Sequence, residues 1–375
     1  MNETGSGRIR EVALLFLRLG VTAFGGPAAH IAMMHDEVVR RRRWVSDDRF
    51  ADLVGGTNLI PGPNSTELAI HLGWDRARGR GLMLAGVCFI LPAALMVGFL
   101  AWMYVEYGQT PALEGILYGI KPVVIAIVAQ ALLKLVPTVA KTWVLAVFAG
   151  LAVTAYLVGI NELLVLAAGG ILAAGWRIVR SKRADRLSSW LPIGVFASAV
   201  DVELGRLFLT FLKIGAVLYG SGYVLLAFLQ GELVDRLGWL TSEQLLDAVS
   251  VGQFTPGPVF TTATFVGYVI GGFWGAVLAT IGIFLPSFLF VAALTRLLAW
   301  MRSSATLGAA LDGINATAVG LMAAVSAQLA ADAIVDAVTV TVAAGAGLLL
   351  WRTQLNSAWL IAAGAAIGLV HAWLT

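Results

Sequence analysis

The chain has 375 residues, 59% of them hydrophobic and 13% charged, with a formal net charge of +3 at pH 7. A soluble domain carries about 25% charged residues, so this composition excludes a water-soluble globule and places the chain in lipid. The single cysteine, Cys88, excludes an internal disulfide and a cysteine-based zinc site. With only four histidines and few paired carboxylates, the chain implies neither an enzyme nor a cofactor.

In chain order, apolar segments suited to spans cover residues 12–34, 82–104, 115–133, 142–160 and 163–176, then 205–229, 274–295, 306–330, 334–351 and 357–374. The first has no small-residue cleavage site behind a short apolar core, so it is expected to be retained. Segments 54–73 and 249–267 are interrupted by Pro61-Gly62-Pro63 and Pro256-Gly257-Pro258. Two prolines around a glycine prevent an unbroken crossing, and both segments are expected to be re-entrant hairpins. Residues 187–200 are apolar but short, and an interfacial helix is the reading for them.

The two PGP motifs lie 195 positions apart, and the same offset aligns Phe16 with Phe211, Gly20 with Gly215, Gly25 with Gly220, Glu37 with Glu232, Trp44 with Trp239 and Asp52 with Asp247. Beyond a one-residue gap near Leu72 the offset becomes 194, and Gly81 and Pro92 meet Gly275 and Pro286. The chain therefore reads as two copies of one unit, residues 1–190 and 191–375. The expected fold is an all-α polytopic membrane protein of two inverted-topology repeats, each with about five transmembrane helices and one re-entrant hairpin.

The cations carry the orientation. Lysine and arginine collect in cytoplasmic loops, and 19 of the 25 fall in loops that this scheme makes cytoplasmic, among them Arg40–Arg43, Arg76, Arg78, Arg80, Lys134 and Lys141. Residues 35–53 hold five arginines where their copy, 230–247, holds one. Opposite orientations account for that contrast, and the basic pI of about 9.1 then needs no nucleic-acid partner.

Three cations fall inside predicted spans: Arg18, Lys121 and Lys213, of which Arg18 and Lys213 are equivalent. Ionisable groups at membrane depth point to function. With carboxylates confined to predicted span ends, the expected counter-charge is a mobile anion. Snorkelling to the surface is the plainer reading of Arg18 and Lys213, and Lys121, beside Pro122, reads equally as a helix-end lysine.

After each PGP the chain is expected to restart as a helix with Pro63 or Pro258 in its first turn. Its unpaired amides then carry about half a positive charge. Asn64, Ser65 and Thr66, and Thr261, Thr262 and Thr264 in the copy, add donors there, and Gly62, Gly257 and Gln253 are expected substrate-binding positions beside them. This end suits an oxyanion, although Asn64 and Glu67 also have capping-box spacing. Further breaks, Phe24-Gly25-Gly26-Pro27 and Tyr219-Gly220-Ser221-Gly222, are expected to turn backbone amides toward the hairpin tips. Glu67 and His30 have Thr262 and Leu225 as their copies, an asymmetry in charge that suits coupling of proton and anion movement.

The run Phe24-Gly25-Gly26-Pro27 ending at His30, the Arg41–Trp44 segment, the PGP at 61–63, Phe89-Ile90-Leu91-Pro92 and Gln253-Phe254-Thr255-Pro256-Gly257-Pro258 together resemble the chromate ion transporter family in its long, two-domain form. The resemblance spans about residue 10 to 375. It implies efflux of chromate, a sulfate-like oxyanion, driven by the proton motive force across a bacterial inner membrane, with two homologous halves of opposite orientation. One departure is Asn58 in place of the family's glutamine, which the second copy keeps as Gln253. Sulfate is the second candidate anion, an anion channel is the alternative class, and a homodimer is an admissible assembly.

Overall fold

The structure is a computed structural model and describes residues 5–108, 110–139, 141–180, 203–219, 224–353 and 355–374. All regular structure among them is helical, and one order of helices is run through twice. The first pass is α1 (Gly5–Thr22), α2 (Gly26–His35), α3 (Asp47–Thr57), α4 (Asn64–Tyr107), α5 (Pro111–Val139), α6 (Trp143–Leu157) and α7 (Glu162–Arg180). The second is α8 (Glu203–Val217), α9 (Leu225–Leu229), α10 (Ser242–Phe254), α11 (Thr262–Ser303), α12 (Ala305–Ala333), α13 (Ala337–Arg352) and α14 (Ser357–Leu374). The segment 187–200 lies outside the described residues.

Helix α1 stops because Gly25 and Gly26 take φ of 103° and 76°, a conformation that glycine adopts at little cost, and Pro27 then restarts the chain as α2. The chain turns back there. Arg18 meets Glu37, nineteen residues later, at 3.5 Å, whereas a straight helix would hold them about 28 Å apart. The predicted spans 12–34 and 205–229 are therefore corrected to chains that fold back, and the expected five spans and one hairpin per repeat to four apolar helices and two hairpins. Lys213 and Glu232, at the same spacing in the second pass, meet at 2.6 Å.

A second reversal is hidden inside α4. Ala77 and Arg78 leave helical geometry, Arg78 at φ 54°, and Gly73 comes to lie against the backbone of Gly81. Gly271 and Gly272 repeat the reversal in α11, with Gly272 at φ 60° and Gly267 against Gly275. Helix α3 and the first arm of α4, residues 64–77, thus form a hairpin with PGP at its tip. Its base is clasped by Arg49, whose Nε and Nη2 donate to Asp75 at 2.9 and 3.1 Å. The hairpin is longer than the predicted 54–73.

By length and composition, α4, α5, α7, α11, α12 and α14 contain segments able to cross a membrane, and α6 and α13 are shorter apolar helices. Their packing is reciprocal: α5 lies against α13 and α14, while α12 lies against α6 and α7. Gly119 of α5 abuts Gly364 of α14, and their copies Gly313 of α12 and Gly169 of α7 abut in the same way. Small residues let these backbones approach where lipid gives no hydrophobic drive to association. Gly115 meets Gly368 and Gly119 meets Gly364, so α5 and α14 run antiparallel; Gly169 and Ala173 meet Thr317 and Gly313, so α7 and α12 do too. Lys141 pairs with Asp312 at one end of the bundle, and Tyr156 bonds Gln328 at the other.

Candidate functional site

Both PGP tips are buried, Pro61 to Pro63 and Pro256 to Pro258 alike. Gly62, at φ 133°, donates its amide to the Leu218 carbonyl at 2.8 Å, and Gly257, at φ 92°, donates to the Ala23 carbonyl at 2.9 Å. Ala23 and Leu218 are equivalent ends of α1 and α8. Each tip is therefore held by the broken helix of the other pass.

Around the first tip the side chains are polar. Asn64 bridges the turn through Nδ2 to Asn58 Oδ1 at 2.7 Å. His30, 1% exposed, lies 3.0 Å from the Ala23 carbonyl through Nε2 and 3.3 Å from Ser65 Oγ through Nδ1. A carbonyl only accepts, so Nε2 carries the proton, and in the neutral ring Nδ1 accepts from the Ser65 hydroxyl. Glu67 is fully buried; no hydrogen bond of good geometry reaches either carboxyl oxygen, although the Ser287 hydroxyl of α11 lies beside the group. Thr66 Oγ1, His71 Nε2 and Ser287 Oγ are likewise buried without partners. The expected capping box is not formed. Pro63 is the cap, its carbonyl accepting from the amides of Thr66 and Glu67, and Asn64 is spent on Asn58.

The second tip is more self-contained. Thr261 and Thr262 donate their hydroxyls to the Pro258 and Val259 carbonyls, at 2.7 and 2.8 Å. Gln253 sits half-buried in the last turn of α10. Gly220 and Ser221 lie outside the described residues.

A cavity of about 1620 Å³ leads to the first tip. Its wall includes Gly25, Pro27 and Ala28 at the N-terminal end of α2, Asn58 and Asn64 at the tip, Gln130 and Lys134 of α5, and Asp312 and Asn315 of α12. Two helix N-termini, those of α2 and α4, thus reach one space, where their free amides and partial positive charge favour an anion.

The three cations expected to face that anion are elsewhere, each with a fixed carboxylate. Arg18 is paired with Glu37, which Arg41 and Arg42 also hold at 2.9 and 3.3 Å. Lys213 is paired with Glu232, which Arg236 also contacts. Lys121 Nζ lies 2.8 Å from Glu243 and 3.1 Å from Asp247, and Tyr104 donates to Asp247 at 3.0 Å. The premise that these cations lack partners is corrected. The carboxylates sit in the turn after the returning helix or on another hairpin, so spacing along one helix did not reveal them.

Lys121 and its partners pin α10 against α5 and the end of α4. Asn315, the equivalent of Lys121, instead lines the open cavity. The hydrogen bond from Lys121 holds the Glu243 carboxyl below the usual carboxylate range.

Paired passes of helices, buried broken backbones and a cavity ending on helix N-termini define a polytopic membrane transporter rather than an enzyme. A sequence model described as chromate transporter matches residues 10–174 and again 205–369, segments displaced by the same 195 positions as the PGP motifs. The chain belongs to the chromate transporter family. It is 34% identical to the chromate transport protein of Cupriavidus metallidurans over 96% of this chain and 93% of that protein. It is also 34% identical to the chromate transport protein of Pseudomonas aeruginosa, over 94% and 90%. An uncharacterized transporter of Methanocaldococcus jannaschii is 28% identical over 85% of this chain and 84% of that one. No solved structure matches the chain.

Proposed function

We propose that this protein exports chromate from the bacterial cytoplasm across the inner membrane by alternating access, coupled to the proton gradient. The two passes are inverted repeats, residues 1–190 and 191–375, and α3 with the first arm of α4 enters the membrane from the basic face. What supports inversion is the antiparallel packing of α5 with α14 and of α7 with α12: α5 and α7, two crossings apart, run the same way, so α14 opposes its counterpart α7. The oxyanion binds at the inner end of the cavity, between the α2 and α4 N-termini, with the Asn58 and Asn64 amides beside it. Gly25, Gly26, Gly62 and Ser65 shape this end, while His30 and Thr66 buttress it.

The observation that carries this reading is the crossed pair of bonds, Gly62 to Leu218 and Gly257 to Ala23, together with a cavity that reaches one tip. Access is unequal on the two sides. Lys134 and Lys141 line the cavity, whereas Lys121, thirteen residues before Lys134 on α5, is bound to Glu243 and Asp247, which in this reading is the closed gate. A carrier caught with one gate shut has this form; exchange of the two repeat conformations opens the other. The site is complete within one chain, and sulfate, of similar shape and charge, is the second candidate substrate.

The test is uptake of labelled chromate into inverted membrane vesicles, with and without a pH gradient, in competition with sulfate, molybdate and phosphate. Saturable uptake, raised by the gradient and reduced by sulfate more than by phosphate, is expected. Flux that stays linear far above millimolar chromate means a channel, and no chromate flux removes the substrate assignment.

A further inference from the structure

The first arm of α4 carries three titratable side chains at i, i+4 and i+8: Glu67, His71 and Asp75. This spacing sets them in a row on one helix face, neighbouring Cβ atoms about 6 Å apart. The row begins at the tip, where Glu67 is fully buried and reaches the space beside Gly62 together with Ser287. It passes His71, 2% exposed, and ends at the hairpin base, where the Asp75 side chain is 18% exposed and bound to Arg49. Both Glu67 oxygens and His71 Nε2 are buried without hydrogen-bond partners.

Ser287 of α11 and Tyr219 of the second break face Glu67; Asp75 and Arg49 of α3 face His71. No ion pair engages Glu67 or His71 among the described residues. A carboxyl and an imidazole without ion pairs at this depth are costly. The equivalent positions in the second pass are Thr262, Val266 and Val269, in the same hairpin architecture. The row is thus present once, as a pathway needs, and not twice, as the shared fold would demand.

We propose that Glu67 and His71 form the proton path of this carrier, with Glu67 the proton-binding group beside the anion site. It rests on the proton-coupled reading above. A proton is taken up beside the Asp75–Arg49 pair onto His71 Nε2 and passed to a Glu67 oxygen; one proton moves at each step and no other bond changes.

The test is proton movement per chromate in liposomes holding the full chain and a trapped pH dye. In the unaltered protein a chromate gradient is expected to move protons. In Glu67→Gln and in His71→Gln the proton-to-chromate ratio is expected to fall at least tenfold, while Glu67→Asp keeps a measurable ratio. Melting in detergent identifies folded variants, and the ratio itself is insensitive to how much protein is active. If folded Glu67→Gln and His71→Gln keep the unaltered ratio, the path is overturned and the coupling stands. If the unaltered protein carries chromate without protons, the coupling reading falls and takes the path with it.

Discussion

The amide of Gly62 is bonded to the carbonyl of Leu218, 156 residues away, at 2.8 Å. Gly257 makes the equivalent bond to Ala23. Neither tip can shift without pulling on the first broken helix of the other repeat, and this mechanically joins the two halves at their most irregular backbone.

Replacing Gly62 by alanine tests that junction. A Cβ there meets the Glu67 carboxylate and, at 2.7 Å, Ser287 Oγ, and the φ of 133° is itself unfavourable for an L side chain. Such strain costs about 1–3 kcal/mol. Gly62→Ala is expected to lower the melting temperature and reduce chromate transport at least tenfold. Gly257→Ala, whose Cβ would lie 2.7 Å from Ala93, is expected to do the same.

The sealed side depends on Lys121. Removing it leaves Asp247, 3% exposed, buried without its cation, a loss of about 3–5 kcal/mol for the arrangement in which it is buried. Lys121→Ala is expected to shift the carrier away from the present arrangement. With Cys88 replaced by alanine and a cysteine at position 315, labelling from the basic face should fall several-fold. The exchange Lys121→Asp with Asp247→Lys should restore it. Unchanged labelling in Lys121→Ala would show that the pair does not set the gate.

Glu243 gives a prediction in pH. Its folded value lies below the ordinary 4.5, so its contribution to closure is complete above about 4.5 and is lost only as pH falls through the depressed value. The pH profiles of the unaltered protein and Glu243→Gln should therefore stay offset by a constant amount from pH 5 to 8 and converge only in stronger acid. Divergence near neutrality would mean that Glu243 titrates in another setting.

Close helix packing offers a further check. A side chain at Gly119 runs into the backbone of Gly364, and one at Gly313 into that of Gly169. Gly119→Val and Gly313→Val are both expected to destabilise the folded protein in thermal melts. Gly150, with nothing near its missing side chain, should accept alanine without loss.

Much of this was legible in the sequence because glycine and proline mark backbone breaks wherever they occur. The repeat, both PGP tips and the break at Gly25 were all visible. The reversal at Ala77–Arg78 was not, since neither residue type signals a turn and Arg78 takes positive φ under tertiary constraint. Arg18 and Lys213 were seen without Glu37 and Glu232, although each cation and carboxylate recur nineteen residues apart in both copies, a signal that pairs them once the chain is allowed to fold back. The Lys121 cluster joins residues over a hundred positions apart, and no local pattern announces it. The four-residue spacing of Glu67 and His71 is plain in the sequence, but their shared burial comes only from the fold.

The central claim is that the two repeats face opposite sides of the membrane, and the hairpin bases offer the most direct measurement. With Cys88 replaced by alanine, single cysteines at Gly79, which has open space around it, and at Phe273, 64% exposed, mark the two equivalent reversals. An impermeant thiol reagent applied to intact cells and to inverted vesicles should label position 79 only from the cytoplasmic side and position 273 only from outside. Labelling of both from the same side would contradict the account.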